Sequence, residues 1–275
     1  MGAVHLTVSD LERSLEYYRR AIGLGVLERT NGRATIGADA PLLVLVEESG
    51  ASPTPSHTGL FHFALLLPER RALAGWLAHA VRERVGLTGL SDHDVSEAIY
   101  LRDPDHHGIE IYADRPRELW EGKVASRITT RPLDVDDLLA ELGSDPAREP
   151  FDALPDGTVM GHVHLQVADI PSTIAFYRDL VGFELMAALG GQAAFLAAGG
   201  YHHHLGANTW NSAGASPPPP GAAALRHATI ELPTTRERDR LVERLTDAGV
   251  PVDDVAGEPL VRDPSGNGLV LAATA

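Results

Sequence analysis

The sequence contains no cysteine. Disulfides, thiolate metal sites and cysteine nucleophiles are therefore excluded, and a reducing compartment is the natural setting. Basic residues are also scarce: 23 Lys and Arg stand against 38 Asp and Glu, giving a formal net charge of −15. With no basic cluster to offset that balance, neither a nucleic acid nor an anionic membrane surface is an expected partner. No run approaches the ~18 apolar residues of a membrane span. The opening MGAVHLTVSDLERS enters an amphipathic pattern at once, without a basic segment followed by a long apolar one. A cytoplasmic protein is expected. At 275 residues and 44% hydrophobic, the chain can bury one large core or two smaller ones.

What the chain does have is an internal repeat. VHLTVSDLERSLEYYRRAIGLGVL at 4–27 matches VHLQVADIPSTIAFYRDLVGFELM at 163–186, pairing Tyr18 with Tyr177. Each copy reads as a strand, an Asp suited to cap a helix, apolar residues at helical spacing and a terminal Gly. A second pair is weaker. HFALLLPERRAL from His62 corresponds to HATIELPTTRER from His227, and DPDHHGIEIY from Asp103 to DPSGNGLVLA from Asp263. Four βαβββ modules follow, with boundaries near 57, 115, 157 and 221. Residues 116–157 read as a connector with a short helix at VDDLLAELG, and SAGASPPPPG at 212–221 as a stiff extended linker.

In its strand histidines, its (S/A)D(L/I) helices and its DPDxxGIE ending, nearly the whole chain resembles the vicinal oxygen chelate superfamily. The resemblance implies an α+β fold in which βαβββ modules pair into two domains with curled mixed sheets around a metal cup. In sequence order the halves are 1–115 and 158–275.

A set of two histidines and one carboxylate leaves one side of a metal open, which suits Fe(II) binding both an organic chelate and oxygen; Mn(II) accepts the same ligands. The strand-start histidines are His5, His62, His164 and His227. The closing strand offers a carboxylate only in module two, at Glu110, where module four has Val270. Glu110 and His62 share a module, so the third ligand depends on which module packs against theirs: His5 if modules one and two pair, His164 if the middle modules pair.

The chain further resembles the extradiol ring-cleaving dioxygenases of that superfamily. In that branch an acid/base histidine follows the first metal histidine, and a tyrosine shortly precedes the ligand glutamate. FLAAGGYHHH places His203 in the first role and EAIYLRDPDHHGIE places Tyr100 in the second. Module one has only aliphatics where such a histidine should stand. The resemblance thus favours a site of His62, His164, Glu110, His203 and Tyr100, built from modules two and three, with His5 and His227 structural. It implies an Fe(II)-dependent enzyme that adds O2 to a catechol-type aromatic and yields a ring-opened semialdehyde. His203 would take a proton from the catechol hydroxyl and return one later, a role for a group titrating near the working pH. Tyr100 would hydrogen-bond a ring oxygen.

Other histidines read less sharply. His202 and His204 face away from His203 if the segment is a regular strand. His93, just before Tyr100, reads as a residue that supports the site or faces substrate, or as a polar turn histidine, and His106 and His107 are turn substitutions. A metal-dependent glyoxalase-type isomerase or thiol transferase, and a drug-binding resistance protein without metal, are the competing functions. The expected partners are a small aromatic substrate and O2, with assembly into homo-oligomers left open.

Overall fold

The computed structural model describes residues 1–143, 145 and 150–274. The repeat is visible in how each half begins. Strand β1 (Val4–Val8) leads into helix α1 (Leu11–Tyr17), and β11 (Val159–Gln166) into α5 (Ile170–Ile174). Asp10 caps the first helix by accepting from the Arg13 N–H, and Asp169 caps the other through Ser172. Both helices widen into a π-helical turn, Tyr18–Ile22 and Ala175–Val181, and stop at a glycine in the left-handed region, Gly23 and Gly182.

Module one continues with β2 (Gly25–Thr30), β3 (Arg33–Gly37), β4 (Pro41–Glu47) and a short β5 (Ser52–Pro53). Module two contains β6 (Gly59–Leu66), α2 (Arg70–Glu83), β7 (Leu87–Asp92), β8 (Ser96–Arg102) and β9 (Gly108–Asp114). The connector forms α3 (Val124–Arg127), β10 (Arg131–Pro132) and α4 (Val135–Ala140), the last lying within the expected short helix. Residues 144 and 146–149 of that connector lie outside the described residues. Module three adds β12 (Glu184–Leu189), β13 (Ala193–Ala197) and β14 (Leu205–Asn208). Module four, entered through β15 (Ala222–Ala223), has β16 (Leu225–Leu232), α6 (Thr235–Asp247), β17 (Val252–Val255), β18 (Glu258–Arg262) and β19 (Gly268–Ala273).

The modules pair crosswise. One large sheet runs β17-β18-β19-β16-β1-β4-β3-β2, joining modules four and one; another runs β10-β7-β8-β9-β6-β11-β14-β13-β12, joining modules two and three; β15 and β5 pair by themselves. At the two seams antiparallel strands meet in the same register, His5 opposite His227 and His164 opposite His62, each pair followed by a bulge. His5 therefore belongs to the other sheet from Glu110.

Alternation along each strand divides its residues between two faces. Phe63, Leu65, Ile99, Ile109, Ile111 and Val163 enter one continuous core with Leu6, Tyr18 and Trp76, all fully buried. Histidines and other polar side chains occupy the opposite face. The DPD turn ties modules one and two together. Asp103 accepts from the backbone of Asp105 and His107 and from the Tyr18 hydroxyl at 2.9 Å. Asp105 accepts from the Ser9 amide and hydroxyl and from Arg13. Asp263 repeats the arrangement with Ser265, Asn267 and Tyr177. His107 is more than a turn filler, since its Nε2 meets the Thr7 carbonyl at 2.9 Å, across to the other sheet.

Candidate functional site

A row of residues crosses four strands of the second sheet. His162 on β11 lies opposite Ala64 on β6, Ala64 lies beside Glu110 on β9, and Glu110 lies opposite Tyr100 on β8. Ala64 is the smallest side chain in that row. Its methyl leaves the long side chains of His162 and Glu110 free to meet above it, and His62, two residues earlier on the same face, joins them. His62 Nε2 lies 2.9 Å from Glu110 Oε2, His162 Nε2 lies 3.3 Å from the same oxygen, and the two imidazole nitrogens are 3.4 Å apart. Among the described residues, these three are the set whose ligand atoms converge within 4.8 Å.

All three side chains are buried. Burial alone would raise the Glu110 carboxyl, but the His162 and His62 rings hold it well below the ordinary carboxylate range. Burial pushes His162 down, opposed by Glu110. An anionic oxygen and two imidazoles with available lone pairs make a donor set for a divalent cation. Edges near 3 Å also match adjacent ligands held about 2.1 Å from one ion. The donors fit such a group.

The sequence reading did not single out His162. His164, which it did, stands one pleat further along β11, its ring 4.9 Å from that of His62 and its Nε2 without a hydrogen-bond partner. Burial and the neighbouring His62 push His164 well below the ordinary histidine range. Both histidines face the same cavity, of about 430 Å³, together with Tyr100, His203, Phe61 and Trp210.

Two hydrogen-bonded strings reach this cavity from opposite sides. In the first, the Thr129 carbonyl takes the Nδ1 proton of His93 at 2.6 Å, leaving Nε2 to accept from the Tyr100 hydroxyl at 2.7 Å. Burial and the Glu110 charge raise the Tyr100 phenol well above its usual value, so it is a neutral donor. In the second, His202 Nε2 donates to Asp114 at 2.8 Å, and His202 Nδ1 lies 2.8 Å from His203 Nδ1. With the His202 proton given to Asp114, His203 Nδ1 must be the donor in that contact. Its Nε2 then carries the lone pair. Burial first, then His162 with its ring centroid 4.1 Å away, depresses His203 well below the ordinary histidine range.

Several partners in these strings were not anticipated. Residues 199–204 form a turn, not a strand, so His202 does not face away from His203 but supports it while fully buried. Asp114, four residues beyond Glu110, also accepts from the Tyr201 hydroxyl, which itself meets Tyr112 at 2.9 Å. The connector does more than link halves: Ile128, Thr129 and Thr130 form part of the cavity wall. Adjacent GH and VHL in GHVHL were the available signal for His162.

This paired-module fold is that of a family, and the match is direct. The model of the Glyoxalase/Bleomycin resistance protein/Dioxygenase superfamily covers residues 1–111 and 159–271, and the chain belongs to that superfamily. Among its relatives is the catechol-2,3-dioxygenase of Bacillus subtilis (strain 168), 41% identical over 273 residues that span 96% of this chain and 93% of the relative. A Bacillus subtilis protein named as a candidate dioxygenase shares the fold at a TM-score of 0.65 and 15% identity, over 99% of this chain and 85% of that one. Glyoxalase I from Zea mays does so at 0.61 and 15%, over 99% and 92%.

Proposed function

We propose that this protein is a metal-dependent extradiol dioxygenase of a catechol-type aromatic. His62, Glu110 and His162 hold the ion, taken to be Fe(II), and His203 is the acid/base. The observation that carries the reading is the convergence of His62 Nε2, Glu110 Oε2 and His162 Nε2 in a cavity that also receives His203 and Tyr100. The relative named a catechol-2,3-dioxygenase supports the same chemistry.

A bound divalent iron supplies a Lewis acid for two vicinal oxygens and a route for electrons between an aromatic ring and O2. The chain supplies the rest. Phe61, Phe195 and Trp210 offer flat apolar faces for a ring and exclude water around it. His203 Nε2, with its lone pair directed by the Asp114–His202 string, takes the proton of one ring hydroxyl and later returns a proton to the departing oxygen. Tyr100 has its own proton engaged by His93, so its oxygen accepts from a second hydroxyl and fixes which oxygen is presented to His203.

Anaerobic reconstitution with Fe(II), followed by oxygen uptake and absorbance with catechol and substituted catechols, tests the reading. The expected result is stoichiometric oxygen consumption with a yellow, pH-sensitive ring-opened product. Bound iron with no uptake across the panel would move the assignment to glyoxalase-type isomerisation. The two histidines of β11 separate in the same assay. His162→Ala should lower iron affinity by more than the roughly 10–100-fold that loss of a ligand's supporting partner costs, whereas His164→Ala should retain close to one iron per chain.

A further inference from the structure

The other sheet has a cup of its own. Its seam repeats the register of the first, so each residue of the candidate metal site has a counterpart. His5 and His227 stand where His164 and His62 stand. Ala3 takes the place of His162, Thr229 of Ala64, Val270 of Glu110 and Leu260 of Tyr100. The metal ligands are thus absent from this cup, and arginines have appeared. Arg33 holds the register position of Ala193, and Arg226 that of Phe61.

The resulting cavity of about 880 Å³ is larger than the first. At its floor the rings of His5 and His227 lie 4.0 Å apart, and His227 is only 7% exposed. Among the described residues, neither imidazole has a hydrogen-bond partner. Both are held neutral, His5 down to about 3 and His227 to about 4, by burial first and then by neighbouring charges that include Arg33 and Arg226. Arg33 and Arg226 line the same cavity as the two histidines.

The charge balance of the cavity is positive. Glu48 is paired with Arg226 at 2.7 Å, and Glu258 with Arg238 from outside the cavity at 3.0 Å. Arg33 has no carboxylate partner among the described residues, and the contact of Arg262 is to the Gly266 carbonyl. A cup with two uncompensated guanidinium groups, on a protein of net charge −15, concentrates anions against the field of the whole molecule. Its walls are otherwise apolar, from Val46, Leu260 and Val270 to the prolines at 217–220.

We propose that this second cup binds a small planar organic acid. The carboxylate sits on Arg33 and the ring lies over the His5–His227 pair. A guanidinium fork suits a carboxylate, and the two imidazole rings, which find no hydrogen-bond partner among the described residues, line the same cup. The proposal does not depend on the chemistry assigned to the first cup.

Benzoate and inorganic phosphate serve as probes, titrated into full-length protein while the ring resonances of His5 and His227 are followed by NMR. Saturable benzoate shifts at both rings are expected, with phosphate binding at least tenfold more weakly. Arg33 is exposed at its cavity edge, so Arg33→Gln should keep the wild-type melting temperature and weaken benzoate at least tenfold. A second variant, His227→Phe, should weaken benzoate while keeping a flat ring in the same space. The proposal is overturned if Arg33→Gln titrates like the parent, if shifts are confined to the histidines of the first cup, or if neither probe saturates. Phosphate binding as tightly as benzoate would overturn the assignment to an organic acid.

Discussion

His203 differs from its two neighbours because each histidine of the GYHHH stretch meets a different partner. His202 spends both ring nitrogens, on Asp114 and His203; the Nδ1 of His204 accepts from the Ala198 amide at 3.3 Å. Of the three, only His203 brings a ring nitrogen into the cavity with no partner among the described residues. His203→Ala should therefore reduce kcat by about 100- to 10,000-fold, the usual range for a lost acid/base, with iron content unchanged. His202→Phe should retain the bulk and lose the direction of the His203 lone pair. A fall in kcat with little change in KM, partly restored by His202→Gln, would distinguish positioning from packing. Asp105 supplies a residue-scale test of stability. Burial alone would raise its carboxyl, but bonds from Ser9 and Arg13 hold it below the usual range. A carboxylate depressed in the folded state contributes stability above its unfolded value, near ~3.9, and loses that contribution as pH falls through the lower folded value. Asp105→Asn should cost about 2 kcal/mol at neutral pH, the scale of charge-assisted hydrogen bonds. The gap in melting temperature between parent and variant should then close as pH falls through the lowered folded value of Asp105.

Strand β9 can lie close beside β6 because it begins with glycine. A Cβ at Gly108 would sit 2.0 Å from the Phe61 carbonyl oxygen and 3.0 Å from the His62 Cβ. Gly108→Ala must push the two strands apart where one carries His62 and the other Glu110. The expected cost is about 1–3 kcal/mol, as for other forced contacts in packed interiors, and iron affinity should fall with it. Gly75, in the middle of α2, has open space around its Cβ position. Gly75→Ala should raise stability by up to about 1 kcal/mol. Denaturant titration of the two variants checks both signs. At this scale the sequence was largely readable. VHL followed by Asp and an apolar helix gave two capped β-α units because strand alternation and N-cap chemistry are local. Which of His162 and His164 stands nearer Glu110 was not local. Both have the same parity on β11 and face the same cavity, so alternation cannot separate them. What separates them is the register of β11 against β6 and of β6 against β9, which puts the small Ala64 between His162 and Glu110. Aligning β1 with β11 by their shared VHL leaves His162 without a counterpart in β1, because β11 extends four residues before that motif and β1 none. Asp114 and Thr129 were equally out of reach, since hydrogen bonds across modules leave no periodic mark in a single chain.

As a whole, the molecule has two large sheets but one continuous apolar core contributed by all four modules. Heat should therefore unfold it in a single cooperative transition. A cation held only by the folded state raises that transition by mass action, about 2.7 kcal/mol at a hundredfold excess over Kd. Iron-loaded protein should melt as one unit at a higher temperature than chelated protein, and His162→Ala should melt at the same temperature with and without iron. Two separate transitions on calorimetry, only one of them moving with iron, would show the sheets to be independent. The crosswise pairing also imposes an order on synthesis. Both strands of the metal-side seam, β6 and β11, have left the ribosome before module four exists, and β14 soon closes that cup's far wall. Strand β1, made first, can pair early with β4 but keeps its other edge bare until β16 arrives near the end of the chain. The nascent protein thus carries an unpaired, apolar strand edge through most of translation. The free edge of β1 is covered only when module four arrives, so a chaperone that shields nascent strand edges should engage β1 for longer than β6 or β11.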